Sequence, residues 1–267
     1  MPSANRRTWQ QQHVGSLLIT VELDPVAGGH SVERHRGLAG LTNRFASLFQ
    51  THRLPATWAV GDPAHSAATS TVLLSDLPHE MAVLGDPTWL GPTAGRTRFA
   101  RELARRVTQA RKANLRLTTL VPRMASIEQD IDLVVKHDLH AVAGVGQPMG
   151  RRFQLPPTRA LHYGVWEVPV SGKLPVASSW LISGGRALLQ QIRRAARDAA
   201  MFQLVIDAPT IEEFDPKAEK MIAWLMGRVA QLRDRGMLRV ETLGAAAARL
   251  SDVPARSPQQ SILRRAG

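Results

Sequence analysis

The strongest constraint in this 267-residue chain is the order of its apolar segments. Short, β-branched runs alternate with helical-period stretches, and the chain never separates into a block of strands and a block of helices. Strand-like runs occupy 17–24, 54–60, 79–85, 115–121, 139–145, 162–170, 202–207 and 237–241. Helical patterns occupy 38–49, 95–113, 126–137, 217–235 and 243–250, with a short one inside 64–74 and another introduced by Gly184-Gly185 and running through Ala199. A short apolar run suits a strand buried on both faces, and parallel strands of that kind need a crossover helix between them. Seven or eight continuous βα units therefore predict an α/β fold built as a closed or nearly closed parallel barrel. An open doubly wound sheet is the alternative, but Asp24-Pro25-Val26-Ala27-Gly28-Gly29 after the first strand is not a dinucleotide-binding glycine loop, and no P-loop signature occurs elsewhere.

Hydrophobic residues make up 44% of the chain, enough for one sizeable core. We expect one barrel domain over 16–250, a flexible N-terminus over 1–15 and a disordered C-terminal tail over 251–267, which is rich in Pro, Ser, Gln and Arg. The absence of cysteine excludes disulfides, thiolate nucleophiles and cysteine metal sites. The opening residues lack an apolar signal core and no stretch is long enough to span a membrane, so a cytoplasmic location is expected. The net charge of +12, from 34 basic against 22 acidic residues, brings anionic partners into consideration. The arginines are spread over many helices, however, which argues against a dedicated nucleic-acid role.

Chemistry on a parallel barrel gathers at the C-terminal ends of the strands. The first strand, LLITVELD, ends in Glu22 and Asp24, two positions apart and hence on one face. Asp86 follows the third strand, Arg123 the fourth, and Asp207 ends FQLVID. Closure of a seven-stranded barrel would bring Glu22, Asp24 and Asp207 together. Three such carboxylates need a proton, an arginine or a hard divalent cation. Glu22, Asp24, Asp207 and Arg123 are the candidate catalytic residues, and Asp24, Asp86 and Asp207 are candidate oxygen ligands for such a cation. The histidines supply no zinc signature: His30 and His35 flank Glu33 without a third ligand, and His79 heads a strand without the partner that a zinc-binding helix would need. Trp89 and Trp166 fall near strand ends or loops, where an indole can stack on a sugar ring.

The ordered set LLITVELD, NRFASLFQTHRLPATWAV, HEMAVLG, LRLTTLVPR, FQLVIDAP and LRDRGMLRVETLGAAAARL resembles the polysaccharide deacetylase superfamily, the NodB-homology fold related to carbohydrate esterase family 4. The resemblance implies a distorted (β/α)-barrel of the glycoside hydrolase/deacetylase type, usually carrying a metal held by an aspartate and two histidines. Under that resemblance Glu22 falls nearest the general-base position, while Leu23 stands at the metal aspartate with Asp24 one residue beyond. The metal histidines would fall near Leu84 and Thr88, Asp207 replaces the histidine of strand seven, and Arg123 stands where an active-site arginine is often found. Leucine cannot ligate zinc, so the metal-hydroxide route is expected to be missing.

Three functions are compatible with this pattern. One is a deacetylase-like domain without zinc-dependent activity that binds a carbohydrate or assists a partner protein. A second is an active deacetylase or hydrolase using Glu22, Asp24 and Asp207, with no cofactor or with a divalent cation. The third is a polyanion-binding or nucleic-acid-binding protein.

Overall fold

The computed structural model describes residues 14–24, 32–63, 66, 68–91, 93–123, 126–144, 157–174, 181–214 and 216–252. In chain order the elements are β1 (Gly15–Glu22), α1 (Val32–His52), β2 (Thr57–Val60), α2 (Ala68–Leu74), β3 (Glu80–Gly85), α3 (Arg96–Lys112), β4 (Thr119–Pro122), α4 (Ile131–Lys136) and β5 (Ala141–Gly144). They continue with β6 (Arg159–Ala160), β7 (Trp166–Leu174), α5 (Leu181–Arg197), β8 (Met201–Asp207), α6 (Ala208–Phe214), α7 (Pro216–Asp234), β9 (Leu238–Glu241) and α8 (Leu243–Asp252).

Seven parallel strands run in the order β2-β3-β4-β5-β7-β8-β1, and the pairing of β1 with β2 closes them into a barrel. Closure leaves β1 with an unusual division of labour. Its second half, Thr20–Glu22, pairs with β2, while its first half, Gly15–Leu18, pairs with β9 outside the ring. The short β6 pairs antiparallel with β7. This is the closed parallel barrel that the alternation predicts, in the distorted (β/α) form that the resemblance implies.

Strand parity separates two cores. Leu17, Ile19, Val21 and Leu23 of the first strand point outward into the layer of surrounding helices. The inward set is small: Leu18, Ala59, Ala82, Leu84, Val121, Ala141, Ala143 and Val168 fill the barrel, and Leu243, Ala246 and Ala247 of α8 pack against them. Four alanines on facing strands leave a lumen narrow enough to be filled by side chains yet open enough at its N-terminal end to seat that helix.

The helix is held there by a buried acid. Thr118 Oγ1 donates to Glu80 Oε1 at 2.6 Å, and Thr119 Oγ1 donates to the same oxygen. On the other oxygen, Thr57 Oγ1 donates at 3.1 Å and the Gly244 amide at 2.9 Å. The Leu243 amide donates to Thr57 Oγ1 at 3.0 Å, and Ala245 N donates to Thr242 Oγ1 at 3.3 Å. The free amides of the first turn of α8 are thus satisfied, and a carboxylate faces the positive end of its dipole. A Cβ on Gly244 would lie 2.5 Å from Glu80 Oε1 and Thr118 Oγ1, so only glycine lets the amide approach.

Several boundaries differ from the sequence reading. The first helix begins at Val32 rather than Leu38. Gly184 and Gly185 lie inside α5 rather than before it; a Cβ on Gly185 would sit 2.9 Å from Met221 Cγ, so the glycine permits close packing of α5 on α7. The sixth strand starts at Trp166 and runs to Leu174, because His162–Gly164 forms a 3₁₀ turn with Tyr163 at φ 60. Ser126 Oγ accepts from the Glu128 amide at 3.5 Å, but the segment opens with a 3₁₀ turn at Glu128–Asp130 before α4. Of the tail expected over 251–267, Ser251 and Asp252 instead close α8 and the rest lies outside the described residues; of the flexible N-terminus expected over 1–15, Gly15 instead begins β1 and residues before Val14 lie outside them. Among the described residues, no helix is long and apolar enough to cross a membrane.

Glu80→Ala should destabilise the fold by roughly 3 kcal/mol, because three hydroxyls and an amide lose a buried charged acceptor. Gly244→Ala should cost about 2 kcal/mol through the steric clash. Urea unfolding of the two variants checks both values; unchanged midpoints would mean that Glu80 does not anchor α8.

Candidate functional site

At the C-terminal mouth of the barrel, Glu22 and Asp207 end neighbouring strands in direct register. Both side chains face inward, continuing the rows that include Leu18 and Thr20 on β1 and Gln203 on β8. Below them Gln203 Nε2 donates to Thr20 Oγ1 at 3.2 Å, forming a polar floor between the acids and the apolar lumen.

Two cations from other strands meet these acids. Arg123, just after β4, places Nε 3.4 Å from Glu22 Oε2, and both side chains are only 7% exposed. Its Nη2 also donates to the Asp24 backbone carbonyl. Lys173 of β7 places Nζ 3.6 Å from Glu22 Oε2 and 3.0 Å from Asp207 Oδ2. Lys173 is 51% exposed and Asp207 18%, so this second pair forms the accessible layer above Glu22 and Arg123. Among the described residues Glu22 Oε2 receives no hydrogen bond; the two neighbouring cations stabilise it electrostatically. The other oxygen of Asp207 accepts from the Thr210 amide at 3.4 Å at the start of α6.

Lys173 was not among the sequence candidates, and a register change explains why. Val170 pairs with Gln203, but Gly172 pairs with the next residue, Leu204. Ser171 is therefore the extra residue of a bulge, and its Oγ accepts from the Gln203 amide at 3.2 Å. Without the bulge, strict alternation from the inward Val168 would send residue 173 outward. With it, Lys173 pairs with the inward Val205 and enters the mouth.

Asp24 lies at the same end but is differently engaged. The Gly61 amide donates to its Oδ2, and the Gly61 carbonyl accepts from Arg106 Nε at 2.6 Å. Burial pushes the Asp24 carboxyl above its ordinary value, against the lowering effects of the Gly61 amide and Arg123. Asp86 accepts from the Thr88 amide at 2.8 Å through Oδ1, as a turn residue does.

Trp89 follows β3 and is only 2% exposed. It stacks on Phe99 with ring centroids 5.9 Å apart, while the Arg106 guanidinium lies 4.4 Å from its ring. Its buried Nε1 has no hydrogen-bond partner among the described residues, and it borders a cavity of about 580 Å³ with Arg96, Ser126 and Gln129. Trp166 lies at the other end of the barrel, where Nε1 donates to Ser251 Oγ at 3.0 Å beside α8. The structure therefore does not bring the two tryptophans together. His79 is structural: its Nδ1 accepts from the Ala56 amide at 3.1 Å, its ring packs on Trp58, and burial lowers its pKa.

The donor set does not fit the metal that the family resemblance implies. Leu84 points into the apolar lumen and Thr88 is exposed, so neither supplies a ligand. Asp24 and Asp86 are turned onto backbone amides, and the Lys173 ammonium lies between Glu22 and Asp207. Among the described residues no group of three or more His, Asp or Glu could hold a metal ion.

Asp24 also has a testable signature. Its folded-state pKa lies above its unfolded value, so the folded chain binds the proton more tightly. Its contribution is fully present below the ordinary aspartate range and is lost as pH rises through the raised value. The stability difference between wild type and Asp24→Asn should therefore move in favour of the variant as pH rises across that window. Urea unfolding at a series of pH values measures it, and a pH-independent difference would refute the assignment.

No family model matches the sequence, and no curated protein matches it. Solved structures do match in fold. One is a protein assigned as a polysaccharide deacetylase from Mycobacterium smegmatis, with a TM-score of 0.62 at 15% identity, covering 88% of this chain and 89% of that one. A family 4 carbohydrate esterase from Streptomyces lividans, in complex with acetate, gives 0.50 at 12% identity over 85% and 92% of the two chains. A mutant of BA3943, a CE4 family pseudoenzyme with restored enzymatic activity, gives 0.51 at 10% identity over 88% and 68%. At these identities the shared property is the fold, the (β/α) barrel of the polysaccharide deacetylases.

Proposed function

We propose that this chain is a divergent deacetylase-fold domain that binds a carbohydrate at the C-terminal mouth of the barrel and has no zinc-dependent deacetylase activity. The observation that carries this reading is Lys173, whose ammonium lies 3.0 Å from Asp207 and 3.6 Å from Glu22. The Lys173 ammonium balances the carboxylates there, and a metal would have to displace it and find further ligands that the described neighbouring residues do not provide. Lys173 and Asp207 offer donors and acceptors to sugar hydroxyls, with Glu22 and Arg123 held beneath them to fix their orientation. A role in assisting a partner protein would use this same mouth as the point of glycan delivery or retention.

A second reading is favoured by the side-by-side register of Glu22 and Asp207. In it the site is an active hydrolase or deacetylase. Glu22 acts as base, Asp207 as acid, and Arg123 steadies developing negative charge.

Titration of the full chain with N-acetylated chitooligosaccharides by calorimetry, alongside an acetate-release assay with and without added zinc, separates the two. The first reading expects binding that weakens by about tenfold or more in Asp207→Asn and Lys173→Ala, a loss of about 1.4 kcal/mol or more, and no acetate release. Zinc-stimulated release abolished by Glu22→Gln would overturn it, as would binding to no glycan in a wider panel. Metal-independent turnover lost in both Glu22→Gln and Asp207→Asn would establish the second.

A further inference from the structure

At the N-terminal end of the barrel, opposite the candidate site, the last turns of α5 and α7 enclose a groove of about 750 Å³. Its wall carries Arg193, Arg194 and Arg197 from α5 and Arg235 from the turn after α7, with Leu232 and Met237 as apolar floor and rim. The nearby acids are already engaged: Asp198 pairs with Arg194 at 3.4 Å and Asp234 with Arg233 at 2.6 Å. Among the described residues Arg193, Arg197 and Arg235 have no ion pair, and all three are exposed.

Unpaired arginines at helix C-termini are favoured by the helix dipole, which accounts for one or two of them. It does not account for a ligand-sized groove lined by three arginines of α5 and one from the turn after α7. Guanidinium forks bind oxyanions bidentately and remain charged at any working pH. Arg193 and Arg197, four residues apart on α5, share one face of the helix, and with Arg194 and Arg235 the groove carries more positive charge than one phosphate dianion offsets, whereas a short chain of phosphates carries several negative charges. A volume in the range of small-molecule pockets, rather than an extended basic stripe, favours a compact ligand over a nucleic-acid duplex.

We propose that this groove is a binding site for a small polyphosphate-bearing ligand, independent of the carboxylate mouth. The full chain is titrated with sodium tripolyphosphate by calorimetry at two salt concentrations. The expected result is saturable one-to-one binding that weakens with added salt. It should also weaken by at least about tenfold in the Arg193→Gln/Arg197→Gln/Arg235→Gln variant. Lys173→Ala should bind as the wild type does, which separates this site from the mouth. The three arginines are solvent-facing, and an unchanged melting curve for the variant checks that the fold is intact; each single Arg→Gln variant should show a graded loss. Absence of saturable binding, full affinity in the triple variant, or loss in Lys173→Ala would overturn the proposal. Tighter binding of an oligogalacturonate than of tripolyphosphate, lost in the same variant, would overturn the phosphate assignment in favour of a polycarboxylate.

Discussion

The buried Glu80 carboxylate organises the barrel from its closed end. It gathers three threonine hydroxyls from neighbouring strands and the Gly244 amide at the start of α8. Each partner alone is an ordinary hydrogen bond, but a charged acceptor in an enclosed site makes the set interdependent. Once α8 is fixed, Leu243, Ala246 and Ala247 complete the lumen that the inward alanines leave open. The helix then covers the N-terminal end, and the half-exposed Lys173 with Asp207 stands at the opposite mouth. The place of the candidate site thus follows from the plug as much as from the strands that carry its residues.

At that mouth the electrostatics are internally balanced. Glu22 and Asp207 would repel each other across adjacent strands, and Arg123 and Lys173 offset that repulsion from two further strands. The two cations differ in kind. Arg123 is buried and tied to the Asp24 carbonyl, so it positions Glu22; Lys173 is half exposed on a flexible stem, so it is the group able to exchange one partner for another. For the proposed carbohydrate ligand this means that an incoming hydroxyl would replace part of an ion pair without leaving a bare charge.

The alternation of elements was legible because each buried parallel strand is a short apolar run with its own helix. The closure that pairs Glu22 with Asp207 follows from the same topology. Lys173 was hidden because its side is set by one extra residue at Ser171, and a bulge changes parity without any large compositional mark. The sequence VPVSGKL does hold a weak signal, a glycine and a serine inside a strand, where both often accompany a bulge. The Gly184-Gly185 pair misled for a related reason. Glycine in a helix interior reads as a boundary, whereas here the close approach of Met221 requires the missing Cβ. The role of Glu80 was also illegible, since its partners come from three distant segments and only closure assembles them.

Charge is partitioned along the barrel axis. The mouth sets two acids against two bases, while the N-terminal side carries Arg193, Arg197 and Arg235, which have no ion pair among the described residues, where α5 and α7 end. In a parallel barrel every outer helix runs antiparallel to the strands, so its C-terminus and the negative end of its dipole lie on the N-terminal side. Basic residues placed in last turns therefore accumulate on that one side. The net charge of +12 is consequently more than a sum over the surface. At α5 the topology sets Arg194 and Arg197 on the end of the barrel away from the paired carboxylates, so positive charge gathers there rather than at the mouth.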